Sequence, residues 1–235
     1  KVKAQRFCMC ARWWPTQFPA ESRRCCVGGP AFLLLAFMIA EGCYYTLSVI
    51  KYMRRLFLFA IISEIPFNLI MGSSVFYPFH QNVLWTFLLG VLSIQIIEKA
   101  KKKQKKWISF FVVCLVLLMD FLLGTITMVD YNAAGILTVL LFYFFRKKTW
   151  ISFAAQLVGL YYLNVVMLGN LYYPVTILGH HFEIAQQSFA LLALIPIWLY
   201  HGEQGYHSKW FKYFCYAFYP VHLLILFVIW QWRIR

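Results

Sequence analysis

From Pro30 onward the chain is a succession of apolar runs separated by short polar clusters. Against a window of about 17–25 residues for a membrane-crossing helix, the runs predict helices near 31–49, 55–71, 83–98, 107–129, 131–145, 149–169, 184–200 and 211–231. The shorter ones are expected to tilt little or to stop below the surface. The fold class is therefore all-α: a polytopic transmembrane helical bundle of about eight spans. Residues 1–30 hold no run long enough to span, and are expected to form an atypical segment, disordered or mis-specified, ahead of one membrane-embedded domain over 31–235.

Charge placement tests the count. Loops 51–55, 99–106, 146–148 and 201–212 carry fourteen Lys and Arg, whereas loops 72–82, 129–130 and 169–182 carry none. The basic loops are therefore cytoplasmic under the positive-inside rule. Arg233 and Arg235 fall on the outer side, and eight spans put the six basic residues of segment 1–30 outside as well. One further span before Pro30 restores the sign. An intact relative is thus expected to carry an additional first helix, which residues 1–30 replace through a frame error or a divergent start.

Composition agrees with a membrane protein. The chain of 235 residues is 62% hydrophobic and 13% charged, against an apolar share of about 45–50% in soluble domains. The net charge of +14 sits in clusters between apolar segments rather than interleaved with aromatics on an exposed face, so it reads as topology and not as nucleic-acid binding. The seven cysteines follow no disulfide or zinc spacing, the Cys8, Cys10 and Cys25, Cys26 pairs included, and read as packing thiols.

Ionisable groups inside the apolar runs are the candidate chemistry, because they are costly at bilayer depth. His222 falls at the middle of the last run, about 16 Å from its start, with Tyr219 three residues before it and Pro220 removing a backbone donor between them. Glu41, Glu64 and Asp120 fall within three earlier runs, Pro66 frees the Ile62 carbonyl, and Asn68 follows Glu64 by one turn. Together they predict a buried polar layer from four helices. The plain alternative is that Glu41 or Glu64 pairs with Arg54 or Arg55 at the cytoplasmic edge, or that the acids are polar glue between helices; for Asp120 the structural role is favoured. Asp130 opens the fifth helix, where an acid stabilises the helix dipole, and at a cavity mouth it would orient an amine. His80, His180 and His181 read as solvated loop histidines, and no metal is expected. Neither a Gly-x-Ser-x-Gly elbow nor a Gly-rich phosphate loop occurs.

Six pieces of the chain, in order, resemble one family: Phe37-Met-Ile-Ala-Glu-Gly42; Arg55-Leu-Phe-Leu-Phe-Ala-Ile-Ile-Ser-Glu-Ile-Pro-Phe67; Asn82-Val-Leu-Trp-Thr86 with Gly90; Asp130-Tyr131 with Gly135 and Leu141-Phe-Tyr-Phe-Phe-Arg146; Tyr200-His-Gly-Glu-Gln-Gly205; and Lys209 through Tyr219-Pro-Val-His222. The chain resembles the TraX family of membrane proteins, whose namesake acetylates the N-terminus of the F-type conjugative pilin. The resemblance implies a bacterial cytoplasmic-membrane acyltransferase that moves an acetyl group from acetyl-CoA to an amine or hydroxyl acceptor, pilin or another surface component. In that family the first transmembrane helix carries an Asp-His pair. None precedes Pro30 here, so if that pair is catalytic the chain as given is inactive and His222 is a binding residue.

For such a transferase, the residues present nominate His222 as base, Glu41 or Glu64 as its electrostatic partner, and Tyr219, Ser63 or Asn68 as hydrogen-bond donors. Arg54, Arg55 and the lysine run would meet the phosphates of CoA. The rivals are a proton-coupled small-molecule transporter using the same layer as a relay and a non-catalytic membrane scaffold. No internal symmetry of the transporter kind is evident.

Overall fold

The computed structural model describes residues 21–72, 74–77, 80–168, 172–177, 180–202 and 208–234. The Cys8 and Cys10 pair and the first two thirds of segment 1–30 lie outside the described residues, as do 203–207. Among the described residues eight α-helices follow one another: α1 (Glu21–Tyr45), α2 (Val49–Gly72), α3 (Val83–Lys103), α4 (Lys106–Ile126), α5 (Asn132–Phe144), α6 (Trp150–Tyr161), α7 (Leu194–Leu199) and α8 (Lys209–Ile234). The helical class holds, with one departure from the expected all-α bundle. Strands β1 (Tyr172–Ile177) and β2 (His180–Ala185) form an antiparallel hairpin pairing Tyr172 with Ala185 and Ile177 with His180.

The expected eight spans are not all matched by helices of membrane length. Among the described residues three are long and apolar enough: Val83–Lys103, Lys106–Ile126 and Trp150–Met167. The run near 131–145 yields a 13-residue α5, about 20 Å at 1.5 Å per residue against a hydrocarbon core of about 30 Å. The run near 184–200 splits into a 3-10 segment (Gln186–Ala193) and the six-residue α7. At the other end, α1 begins at Glu21, well before the apolar run, and carries Pro30 within it.

The chain divides into two compact units, one of Lys1–Tyr44 and Leu137–Tyr200, the other of Tyr45–Ile136 and His201–Arg235. In the first, Leu33, Ala36, Ala40, Val139, Phe142 and Leu160 are buried, and Phe37 sets its edge against Phe142 and Tyr200 at centroid distances of 5.7 and 5.9 Å. Helix α6 runs on into a π-helical turn (Tyr162–Met167). Gln156 ties this unit together, donating to the Phe145 carbonyl at 2.8 Å and accepting from the Trp198 indole at 2.8 Å. Lys148 Nζ donates to the Trp198 and Tyr200 carbonyls at the end of α7.

The second unit is organised by α2, which packs against both α3 and α8, while α3 packs against α4. Helix α4 shows why this is membrane packing. Its buried residues are Ser109, Val116, Asp120 and Gly124, all on one stripe, while Phe110, Phe111, Leu115, Leu118, Met119, Phe121 and Leu122 are exposed. A soluble helix buries its large apolar side chains; in lipid, close approach of small residues and polar pins drive association instead. Ser109 Oγ donates to the Ala100 carbonyl at 3.0 Å and Ser93 Oγ to Asp120 Oδ1 at 2.6 Å, both joining α4 to α3.

Gly124 lets α4 meet the start of α5: a Cβ there would lie 2.5 Å from the Ala133 nitrogen and 2.7 Å from its Cα. At Gly159 a Cβ would instead lie 2.8 Å from the tip of the Leu141 side chain, which can turn aside. Gly124→Ala is therefore expected to cost on the order of 1–3 kcal/mol by overpacking against backbone, and Gly159→Ala clearly less. Thermal unfolding of the two variants in detergent checks this order, and equal midpoints would contradict it.

Candidate functional site

The site grows from the start of α3. Asn82 lies just before the apolar run and has extended backbone dihedrals (φ −66°, ψ 160°); its Oδ1 accepts the Leu84 N–H at 3.0 Å, capping the helix. The same amide, wholly buried, uses its Nδ2 to donate to the Ala60 carbonyl of α2 at 2.8 Å and to Glu64 Oε2 at 2.5 Å. The Asn82 backbone N–H also faces the Glu64 carboxyl. One helical turn on from the cap, the Trp85 indole N–H donates to the same Oε2 at 3.0 Å, its ring steadied edge-on against Phe57 at 5.6 Å. Glu64 Oε1 is buried and has no hydrogen-bond partner among the described residues.

Helix α2 brings two more polar groups to this end. Ser63 is fully buried and Asn68 nearly so; Asn68 Nδ2 donates to the Val75 carbonyl at 3.3 Å. Ser63 Oγ and Asn68 Oδ1 are both buried without a hydrogen-bond partner among the described residues. Three such oxygens within six residues of one helix are uncommon, since each costs about 1–3 kcal/mol when left unmet. Phe67, between them, stacks on His80 with ring centroids 6.4 Å apart.

Helix α8 and the α4–α5 turn close the group. The Tyr219 hydroxyl lies against the Val83 N–H and within electrostatic range of Asp130 and Glu64. Asp130 sits in a turn where Met128, Tyr131 and Asn132 all have positive φ (50°, 62° and 46°), an arrangement that costs non-glycine residues energy and persists only where neighbours enforce it. Here the enforcement comes from residues flanking the Asn82 cap. Gln81 bonds in parallel register to both sides of Val129, through the Met128 carbonyl and the Asp130 N–H, each at 3.1 Å. Thr86 Oγ1 donates to the Asp130 carbonyl at 2.6 Å.

Three of the residues nominated from sequence (Glu64, Asp130 and Tyr219) therefore gather in the second unit around the start of α3, while Ser63 and Asn68 lie buried on the same stretch of α2 as Glu64. The other nominees stand differently. His222, expected to face the polar layer, is exposed, and its ring stacks on Phe218 at 5.6 Å. The inward stripe of α8 is Tyr219, Leu223 and Phe227 with buried Pro220, which turns position 222 to the flank. Asp120 Oδ1 accepts from Ser93 Oγ, while its buried Oδ2 has no hydrogen-bond partner among the described residues. Arg54 is exposed, while Arg55 is half-buried with its Nε lacking a hydrogen-bond partner among the described residues; neither makes the pairing with Glu41 or Glu64 considered from sequence.

Glu41 belongs to the first unit and takes Arg146 as its partner. Arg146 Nε and Nη2 donate to its two oxygens, each at 3.2 Å, and the guanidinium lies 3.3 Å above the Tyr44 ring centre. A planar fork on a carboxylate and a face on an aromatic ring are both guanidinium features. Side chains only 21% and 15% exposed make this a structural clamp. Arg146→Ala and Glu41→Ala are each expected to cost about 1–3 kcal/mol, and the double variant less than the sum. Arg146→Lys is expected to restore only part of the loss. Unfolding midpoints of the four variants test this, and strict additivity would exclude the pair as a unit.

No curated protein and no solved structure matches the chain. The family model described as TraX protein matches residues 18–230, a stretch that holds every residue of the cluster, and on that coverage the chain belongs to the TraX family of membrane proteins.

Proposed function

We propose that the protein is a membrane acyltransferase that carries an acetyl group from acetyl-CoA to an amine or hydroxyl acceptor, pilin or another surface component in keeping with a family tied to conjugation. The observation that carries this reading is the buried Glu64 carboxyl, with one oxygen held by N–H donors and the other bare. A group so placed can take a proton. In the reaction, Glu64 accepts the proton of the acceptor as its nitrogen or oxygen attacks the thioester carbonyl. The carbonyl electron pair moves onto oxygen, where the Tyr219 and Ser63 hydroxyls and the Asn68 amide are the available donors. Collapse breaks the C–S bond, and CoA leaves as a thiolate that takes up a proton.

This assignment moves the base from His222 to Glu64, because the imidazole is exposed and stacked on Phe218. It also removes Glu41 from the reacting set, since Arg146 occupies both its oxygens. Arg54 and Arg55 are proposed to meet the CoA phosphates from the basic end of α2. Asp130, at the outer turn beside Tyr219, is proposed to orient the incoming acceptor.

Purified protein in lipid nanodiscs, given labelled acetyl-CoA and a pilin or a panel of amines and alcohols, tests the reading. Glu64→Gln is expected to lower kcat by on the order of 100-fold or more, the range for a lost general base, while His222→Ala retains most of the rate. Undiminished transfer in Glu64→Gln would remove Glu64 as the base. Absence of CoA binding, together with Glu64-dependent proton uptake into proteoliposomes, would replace the transferase with a transporter.

A further inference from the structure

Beyond the acyl-transfer reading, and resting on it, we infer that Asn82 and Trp85 are positioning residues that hold the Glu64 carboxyl by one oxygen, so that Oε1 alone is presented to the reacting acceptor. A glutamate side chain has three rotatable bonds and, unheld, samples many rotamers. Here two side chains of one helix converge on Oε2, at 2.5 Å from Asn82 Nδ2 and 3.0 Å from Trp85 Nε1. Donors on a single oxygen fix the carboxyl plane; donors shared between both oxygens would leave none bare.

Asn82 is itself immobile. Its amide accepts once, from Leu84 N–H, and donates twice, to Ala60 and Glu64, which fixes which atom is oxygen and which is nitrogen. The residue thereby couples three things in one side chain: the start of α3, a backbone carbonyl of α2 one turn before Glu64, and the carboxyl itself. Trp85 follows from the same helix and is braced by Phe57. Neither residue touches the bare oxygen, so their effect on the reaction runs through Glu64.

The substitutions that separate positioning from mere folding keep the local structure. Trp85→Phe retains a ring against Phe57 and loses the N–H. Asn82→Ser retains a capping oxygen, adds no charge beside Glu64, and loses both amide donors. Each is expected to lower kcat with the KM for acetyl-CoA unchanged, about tenfold for Trp85→Phe and about 100-fold for Asn82→Ser, as displacement of a reacting group by about 1 Å does. A second readout does not depend on activity. The infrared carboxyl band that Glu64→Gln abolishes is expected to shift in both variants, and a merely structural role would leave it in place. If Glu64→Gln is inactive but Trp85→Phe keeps wild-type kcat and an unmoved band, the positioning role falls and the transferase reading stands. If Glu64→Gln transfers acetyl at the full rate, the transferase assignment of Glu64 falls, and the inference with it.

Discussion

A single asparagine amide holds the second unit at the point where α2 meets the start of α3. Within lipid, helices gain nothing from burying apolar surface against one another, so their registry rests on hydrogen bonds and close approach. Asn82 supplies both halves of that requirement. Its oxygen meets one of the four N–H groups that every helix leaves open at its start, and its nitrogen reaches across to α2 at the Ala60 carbonyl and Glu64. Replacing it by an apolar residue of similar size would uncap the start of α3 and leave Glu64 Oε2 with the Trp85 indole as its remaining side-chain donor.

The neighbouring turn depends on that anchor. Gln81 and Thr86 flank the cap and hold the backbone around Asp130 through three hydrogen bonds. They offset the cost of left-handed Met128, Tyr131 and Asn132, in total a few kcal/mol. Gly135 is part of the fit, since a Cβ there would lie 2.6 Å from Thr86 Cγ2 and 2.9 Å from Tyr131 Cβ. Local strain near Asp130 and Tyr219 is thus balanced by the ordered start of α3, a pattern common where side chains must be aimed rather than merely buried.

Much of this was legible in the residues. The apolar runs located most helices, and the intramembrane acid rule singled out Glu64, with Ser63 beside it and Asn68 one turn on. Asn82 carried its own signal, an N-cap residue immediately before an apolar run, but sequence offered no way to see that the same amide would also reach Glu64 across eighteen positions. Asp130 was read as a partner of the α5 dipole, and its Oδ1 accepts the Tyr131 N–H at 3.1 Å just ahead of that helix; the contacts from Gln81 and Thr86 that fix its turn were not foreseen. His222 misled for a rotational reason: depth in a helix says nothing about heading, and the 219, 223, 227 stripe claims the inward face of α8. Hydropathy does not register where a run stops being α-helical, as at the 3-10 segment before Leu194, so three of the eight expected spans are matched by helices both long and apolar enough among the described residues.

The two glutamates show how environment assigns roles that sequence leaves equal. Both lie in apolar helices and both are costly there. Glu41 meets a guanidinium that engages its two oxygens and stacks on Tyr44, so its negative charge and both acceptors are spoken for. Reaction there would first have to break a charge pair. Glu64 meets neutral N–H donors on one oxygen only, and the buried oxygens of Ser63 and Asn68 nearby are likewise unmet. Buried acceptors without a donor are not confined to that helix, since Asp120 Oδ2 on α4 also has no hydrogen-bond partner among the described residues. What sets Glu64 apart is the company of its bare oxygen, the Tyr219 hydroxyl and the strained turn at Asp130, and the role proposed for it rests on that company.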